Sequence, residues 1–235
     1  MSFHFSQISG WIGPKIVTDG LILYLDATNI RSYPTTGENW IDLTGNNNNG
    51  TLRNGTTFSS SNGGSILFDG IDDNMSTTLT NVGTNGTTQI IWYKWDGVNQ
   101  IKILSYLGNP GTGGFGFVIS NGSSLTGNKV CVYYGGSSFN ALGGGLGATL
   151  TNNVWTMLTI TRNATTTFLY QNTTLIGQTN STPAQNTSTL SFNFGDVISN
   201  NGPSGNVSKI LFYNRFFTSE EITKNFNTIK NNFGL

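Results

Sequence analysis

Charge is what this chain has least of. Lys, Arg, Asp and Glu make up 9% of its 235 residues, 11 basic against 11 acidic, where an ordinary soluble protein carries roughly 25%. The basic residues are scattered singly and the charges sum to zero, so no basic stripe is available to neutralise a phosphate backbone, and nucleic acid is disfavoured as a partner. A polybasic segment and an unbroken apolar run of spanning length are both missing, which argues against membrane insertion. The opening "MSFHFSQISGWIGP" lacks the basic head and continuous apolar stretch of a secretory leader. Histidine occurs once, as His4, so a Ser-His-Asp relay would have to rest on a residue of the N-terminal arm, and a zinc site lacks ligands. Cysteine also occurs once. Cys131, inside "KVCVYYG", forms no internal disulfide and reads as a small buried hydrophobe on a strand.

What is present is β-structure. The hydrophobic fraction of 36% leaves material for a core, and disorder is not the expectation. "LILYLDA", "SILFDG", "TQIIWYKW", "FGFVIS", "KVCVYYG", "WTMLTITR", "LSFNFGDV" and "SKILFYN" are short and rich in β-branched and aromatic residues. Clusters of Gly, Asn, Ser and Thr bound each of them, the spacing of an all-β sandwich or barrel. In "TQIIWYKW" the alternation puts Ile90 and Trp92 on one face and Ile91, Tyr93 and Trp95 on the other. Such aromatics stack on a sugar when exposed and fill a core when buried, so Tyr93 and Trp95 stand as candidate glycan contacts. No fixed-period repeat appears, and one domain is expected.

The C-terminus alone reads as helix. Thr218 precedes Glu221 by three residues, a capping box. Ile222, Phe226, Ile229 and Phe233 then form one apolar stripe, and Gly234 stands where a left-handed stop belongs. A helix this short needs a surface, so residues 218–235 are expected to pack on the outside of a sandwich spanning 16–217; a partner-binding helix is the alternative. Residues 1–15 form an N-terminal arm. Phe3, Phe5, Ile8, Trp11 and Ile12 are too apolar for a simple solvated tail, and each is worth about 1.5–3 kcal/mol on full burial. The arm either docks to a partner or folds back along the sandwich as an edge strand.

Five stretches follow one another in a telling order: "GLILYLDA", "WIDLTGNNNNGTL", "SILFDGIDDNM", "NVWTMLTITRN" and "GNVSKILFYNRFFTSEEI". Together they resemble the concanavalin A-like superfamily, and within it the laminin G-like domains of the kind carried by structural proteins of tailed bacteriophages. The resemblance implies a jelly-roll β-sandwich of two antiparallel sheets, all-β apart from the C-terminal helix. It implies a framework role for the Asn/Gly loop at Asp42–Thr51, since Asn and Gly tolerate positive φ and turn the chain sharply. A sugar-contacting role for Asn46, Asn47 and Asn48 is the alternative. Many members of the superfamily bind calcium through loop carboxylates, which makes Asp69, Asp72, Asp73 and the more distant Asp196 candidate ligands. Their other reading is as turn and capping residues.

The superfamily also includes retaining glucanases, which hold two carboxylates about 5 Å apart across a glycosidic bond. This chain has three glutamates. Glu38 lies in an early loop and Glu220 and Glu221 are neighbours in the helix cap, so no strand carries alternating acids. No enzyme is expected, and no cofactor beyond calcium. Two functions remain. One is a non-enzymatic virion component, a capsid decoration protein or a tail or fibre adhesin, assembled in the host cytoplasm and exposed on the particle after release. Its partners would be other virion proteins, further copies of itself, and a host surface glycan. The other is a secreted carbohydrate-binding module.

Overall fold

The computed structural model describes residues 15–83, 86–98, 102–108, 115–120, 128–134, 147–180, 190–195 and 202–235. The arm residues Phe3, Phe5, Ile8, Trp11 and Ile12, and Asp196, lie outside these.

Two antiparallel sheets face each other. The first contains β1 (Leu21–Asp26), β4 (Thr57–Ser59), β5 (Ser65–Asp69), β7 (Thr87–Trp95), β12 (Trp155–Arg162), β13 (Thr167–Gln171), β14 (Thr174–Thr179) and β16 (Ser204–Tyr213). Its order is β14-β13-β12-β7-β16-β5-β4, with β1 also on β16. The ten-residue β16 serves two neighbours along one edge: Ser204–Val207 pair with β5 and Lys209–Tyr213 with β1. A bulge between Val207 and Lys209 falls at the changeover, and a bulge bends a strand in this way. The second sheet contains β2 (Asn39–Trp40), β3 (Gly50–Arg53), β6 (Asn74–Leu79), β8 (Lys102–Leu107), β9 (Phe115–Ser120), β10 (Lys129–Tyr134), β11 (Ala148–Thr149) and β15 (Leu190–Phe194). Its order is β11-β10-β9-β8-β15-β6-β3-β2.

The expected alternation decides which side chains meet. Ile91, Tyr93 and Trp95 of β7 point between the sheets, among Phe68, Phe117, Phe192, Phe194 and Phe212. Ile90 and Trp92 point the other way, into a second apolar cluster with Leu211, Tyr213, Ile222, Ile229 and Phe233. Trp92, Leu158, Ile160, Phe68 and Leu211 are all buried. Cys131 is buried and unbridged, packed with Val118 on β9.

The second cluster exists because α1 (Ser219–Ile229) lies on the outer face of the first sheet. Its capping box is complete: Thr218 Oγ1 accepts from the Glu221 N–H and Glu221 Oε2 accepts from the Thr218 N–H. Arg215 holds the same Glu221 carboxylate through both terminal nitrogens, at 3.0 and 2.6 Å. Phe226 and Phe233 stack on Trp92 with centroids 5.7 and 4.6 Å away. Gly234 ends the chain's last turn at φ 72°, the left-handed stop. The apolar stripe is therefore spent on the sheet. Asn225, buried in the same layer, accepts from the Val17 N–H and donates to the Tyr213 hydroxyl, which itself donates to the Val17 carbonyl. Residue 17 is thereby pinned under the helix. No described helix is long and apolar enough to cross a membrane.

Candidate functional site

The acidic residues of "FDGIDDN" form one corner of the sandwich. β5 ends at Asp69 and β6 begins at Asn74, so Gly70–Asp73 must reverse the chain in four residues. Gly70 makes this possible: its φ is 80°, and a Cβ there would meet Ser204 Cβ at 2.8 Å. The Asp69 carboxylate accepts from the Ile71 N–H at 2.8 Å, and Asp73 Oδ2 accepts from the Asp69 N–H at 2.9 Å. Asn54 and Asn74 donate their amides to the Asp72 carbonyl. The segment just before β16 completes the corner, with Gly202 N–H on the Ile71 carbonyl and Gly70 N–H on the Pro203 carbonyl, both at 3.0 Å.

One carboxylate oxygen from each of Asp69, Asp72 and Asp73 lies within 4.8 Å of the other two. A calcium ion sits about 2.3–2.6 Å from each oxygen ligand, so oxygens sharing one ion span up to roughly 5 Å. The spacing fits. Asp69 is exposed, Asp72 half-buried and Asp73 buried, giving a site open on one side. Asp73 Oδ1 and Asn74 Oδ1 are buried acceptors with no hydrogen-bond donor, and such atoms are costly to leave unpaired. Burial pushes the Asp73 carboxyl above its usual range, against the Asp69 N–H bond that lowers it; the charges of Asp69 and Asp72 push it further up. A hard cation would satisfy the first condition and remove the second. These residues could hold calcium, and they also serve as the turn residues of the corner. The chain reaches the same place just before Asp196: a Cβ at Gly195 would stand 3.0 Å from the Asp73 carbonyl.

The other candidates are not brought there. Tyr93 and Trp95 correct the expectation of exposed stacking platforms. Their faces of β7 look inward, Tyr93 is 0% and Trp95 5% exposed, and the Tyr93 hydroxyl donates to the Ser204 carbonyl. Tyr93 and Trp95 do share one face of β7, and that face is the core.

The Asn-rich loop is built as framework. Asp42 lies buried at its centre, accepting from the Tyr24, Thr44 and Asn48 N–H groups and from the Thr44 hydroxyl. Asn49 caps the Asp42 N–H. Asn46 and Asn48 both donate to the Ile22 carbonyl on the adjoining strand, at 3.2 and 2.7 Å. Asn47 supplies the turn, with φ 60° and an exposed side chain. A loop without a sheet partner has thus satisfied its backbone with side-chain amides.

One constellation escaped the sequence reading. Lys209 and Asp26 form an ion pair with side chains 2% and 9% exposed, and the Tyr24 hydroxyl donates to the far oxygen of Asp26 at 2.8 Å. The only signals were a lysine inside the apolar "SKILFYN" and an aspartate inside "LYLDA"; nothing local pairs them.

The comparisons agree with this architecture. The laminin G-type model of the Concanavalin A-like lectin/glucanases superfamily matches residues 68–223. A search of curated proteins found no significant match. Among solved structures, domain 4 of AbnA, an extracellular arabinanase from Geobacillus stearothermophilus, in complex with arabinotriose, superposes with a TM-score of 0.65 at 16% identity, covering 86% of this chain and 96% of that one. Trypanosoma rangeli sialidase gives 0.67 at 15% identity over 90% of this chain, which spans only 33% of the sialidase. The binding domain of Paraclostridial Mosquitocidal Protein 1 gives 0.60 at 15% identity, over 88% of this chain and 52% of that one. With sheets, helix and motif order in accord, and the family model covering more than half of its length, the chain belongs to the concanavalin A-like lectin/glucanases superfamily.

Proposed function

We propose that the chain is a non-enzymatic recognition module that binds glycan, carried as an accessory protein on the outside of a tailed-phage particle. The observation that carries the non-enzymatic part is the state of its acids. Asp69, Asp72 and Asp73 are the described carboxylates that cluster, and their 4.8 Å spacing is near the 5 Å of a retaining glycosidase. Asp73, the acid with the raised pKa, is 2% exposed and committed to the Asp69 N–H. A proton donor must reach the glycosidic oxygen within hydrogen-bond distance, and this one faces the protein. Glu38 precedes β2 in the second sheet, while Glu220 and Glu221 open α1 on the outside of the first. No glutamate joins the cluster.

Glycan as the ligand is supported by the sandwich and by the arabinotriose complex of the similar domain 4 of AbnA. The phage particle is supported by the resemblance of the motif series to domains of phage structural proteins, with a capsid position favoured over tail or fibre. A surface so poor in charge makes contacts that salt screens little. The test is a panel of arabinan fragments and bacterial surface polysaccharides. Saturable binding to at least one, with no new reducing ends, is expected. Reducing ends lost in Asp73→Asn would show an enzyme, and failure of every glycan would leave the particle proteins as the sole partners. For the particle, an antibody to the chain should decorate the capsid; labelling confined to the tail would move the position.

A further inference from the structure

The first and last long strands of the first sheet carry an amine and a carboxyl face to face. Asp26 is directly opposite Lys209 in the antiparallel register of β1 and β16, and Lys209 Nζ touches Asp26 Oδ1. Both side chains are more than nine-tenths buried. The other oxygen, Oδ2, accepts from the Tyr24 hydroxyl at 2.8 Å. Thr28 Oγ1 stands between the reactive ends, 2.8 Å from Lys209 Nζ and 2.7 Å from Asp26 Oδ1. We propose that Lys209 and Asp26 condense into an intramolecular amide, a covalent cross-link between β1 and β16.

In water, an ammonium and a carboxylate do not condense. Both are ionised, neither is held in place, and solvent water opposes loss of water. Each obstacle is reduced here. Burial opposes charge on both groups: it lowers the Lys209 pKa below the lysine value despite the carboxylate beside it. At Asp26 burial is the largest single influence, and only the Lys209 charge together with the hydrogen bonds from Lys209, Thr28 and Tyr24 brings the pKa below the ordinary carboxylate value. Held side by side with little solvent, the pair can pass one proton from nitrogen to oxygen and become a neutral amine and a neutral acid. A buried ion pair gains little over its desolvation cost; the ion pair is the resting form here, and the neutral pair is the minor form from which the amide is made. The two atoms that must bond belong to paired strands, and fixed placement of this kind supplies effective molarities of about 10⁵–10⁸ M.

The step balances without another reactant. The Nζ lone pair of neutral Lys209 attacks Cγ of protonated Asp26, and the negative charge gathers on Oδ2, where the Tyr24 hydroxyl donates. The bond from Cγ to Oδ1 then breaks. Oδ1 leaves as water, keeping the proton of the acid and taking one from the nitrogen through the Thr28 hydroxyl. One C–N bond forms, one C–O bond breaks, and nothing is oxidised or reduced. The product ties together residues 183 positions apart, a span whose closure removes much freedom from the unfolded chain. For a module exposed outside the cell, such a link resists proteases and pulling.

The test is the intact mass of the purified full chain in denaturant, followed by peptide mapping. The cross-link predicts a mass lighter by one water and a branched peptide joining the segments that contain Asp26 and Lys209. The Lys209→Arg variant keeps a cation beside Asp26 and should show neither. A wild-type mass equal to that of the sequence overturns the proposal, whether or not the variant folds. So does a lost water traced to a succinimide at Asp69-Gly70 or Asp96-Gly97, because those leave every peptide linear.

Discussion

Asp73 is the residue on which the chemistry of the acidic corner turns. Its carboxyl is held above the usual range by burial, and next by the charges of Asp69 and Asp72. Between the ordinary carboxylate value and that raised one, the folded chain keeps a proton that the unfolded chain has lost. Stability therefore falls as pH rises through this window when no cation is present. Calcium needs the ionised form, so its stabilising effect should grow over the same window. In thermal unfolding, millimolar calcium should raise the midpoint at neutral pH and have no effect at a pH below the window. A concentration of 100 times the dissociation constant adds about 2.7 kcal/mol. Asp73→Asn should abolish the calcium shift and flatten the metal-free pH dependence. An unchanged midpoint in calcium at neutral pH would leave Asp69, Asp72 and Asp73 as turn residues only.

At the scale of elements, the C-terminal helix was the most legible part of the chain. Its cap, its stripe and its stop are local features, each spelled by residues within one or two turns of one another. The contributions of these features differ in size. Trp92 sits between Phe226 and Phe233 and the sheet, so Trp92→Ala should cost about 3–5 kcal/mol. Thr218→Ala removes only a cap and should cost about 1 kcal/mol; urea unfolding midpoints rank the two. If the cap proved the larger loss, α1 would not be held by its packing. Glu221 adds an acid limit, because its bond to Arg215 holds its carboxyl below the ordinary value. That contribution is present above the unfolded value and is lost as pH falls through the folded one.

The Asn-rich loop was legible as framework, since residues that tolerate positive φ recur where a chain must turn. The side of β7 that faces the core was not. A two-residue period separates Tyr93 and Trp95 from Trp92, but both faces of this strand are buried, one by the second sheet and one by α1. Periodicity names the faces and leaves open what lies on each. The same limit hid Lys209 and Asp26. Their pairing depends on β1 lying beside β16, a contact between distant parts of the chain that no local pattern encodes.

At the scale of the whole molecule, motif order was enough to give the sandwich, because five stretches in sequence constrain a topology far more than any one of them. Function was less legible. The same two sheets support binding and hydrolysis alike, and the proposal of binding rests on the burial of Asp73 and the scattering of the glutamates. The edge strand β14 carries no charge along Thr174–Thr179, and uncharged edges invite pairing with a neighbour. A second copy of the chain would find a template there. The most direct measurement of the central claim uses one sample. The chain is titrated with the best oligosaccharide from the panel by calorimetry, and the same solution is examined by mass spectrometry after prolonged incubation. Non-enzymatic recognition predicts a saturable isotherm and an oligosaccharide of unchanged mass. Shortened fragments that increase with time, or an isotherm indistinguishable from dilution for every glycan offered, would contradict it.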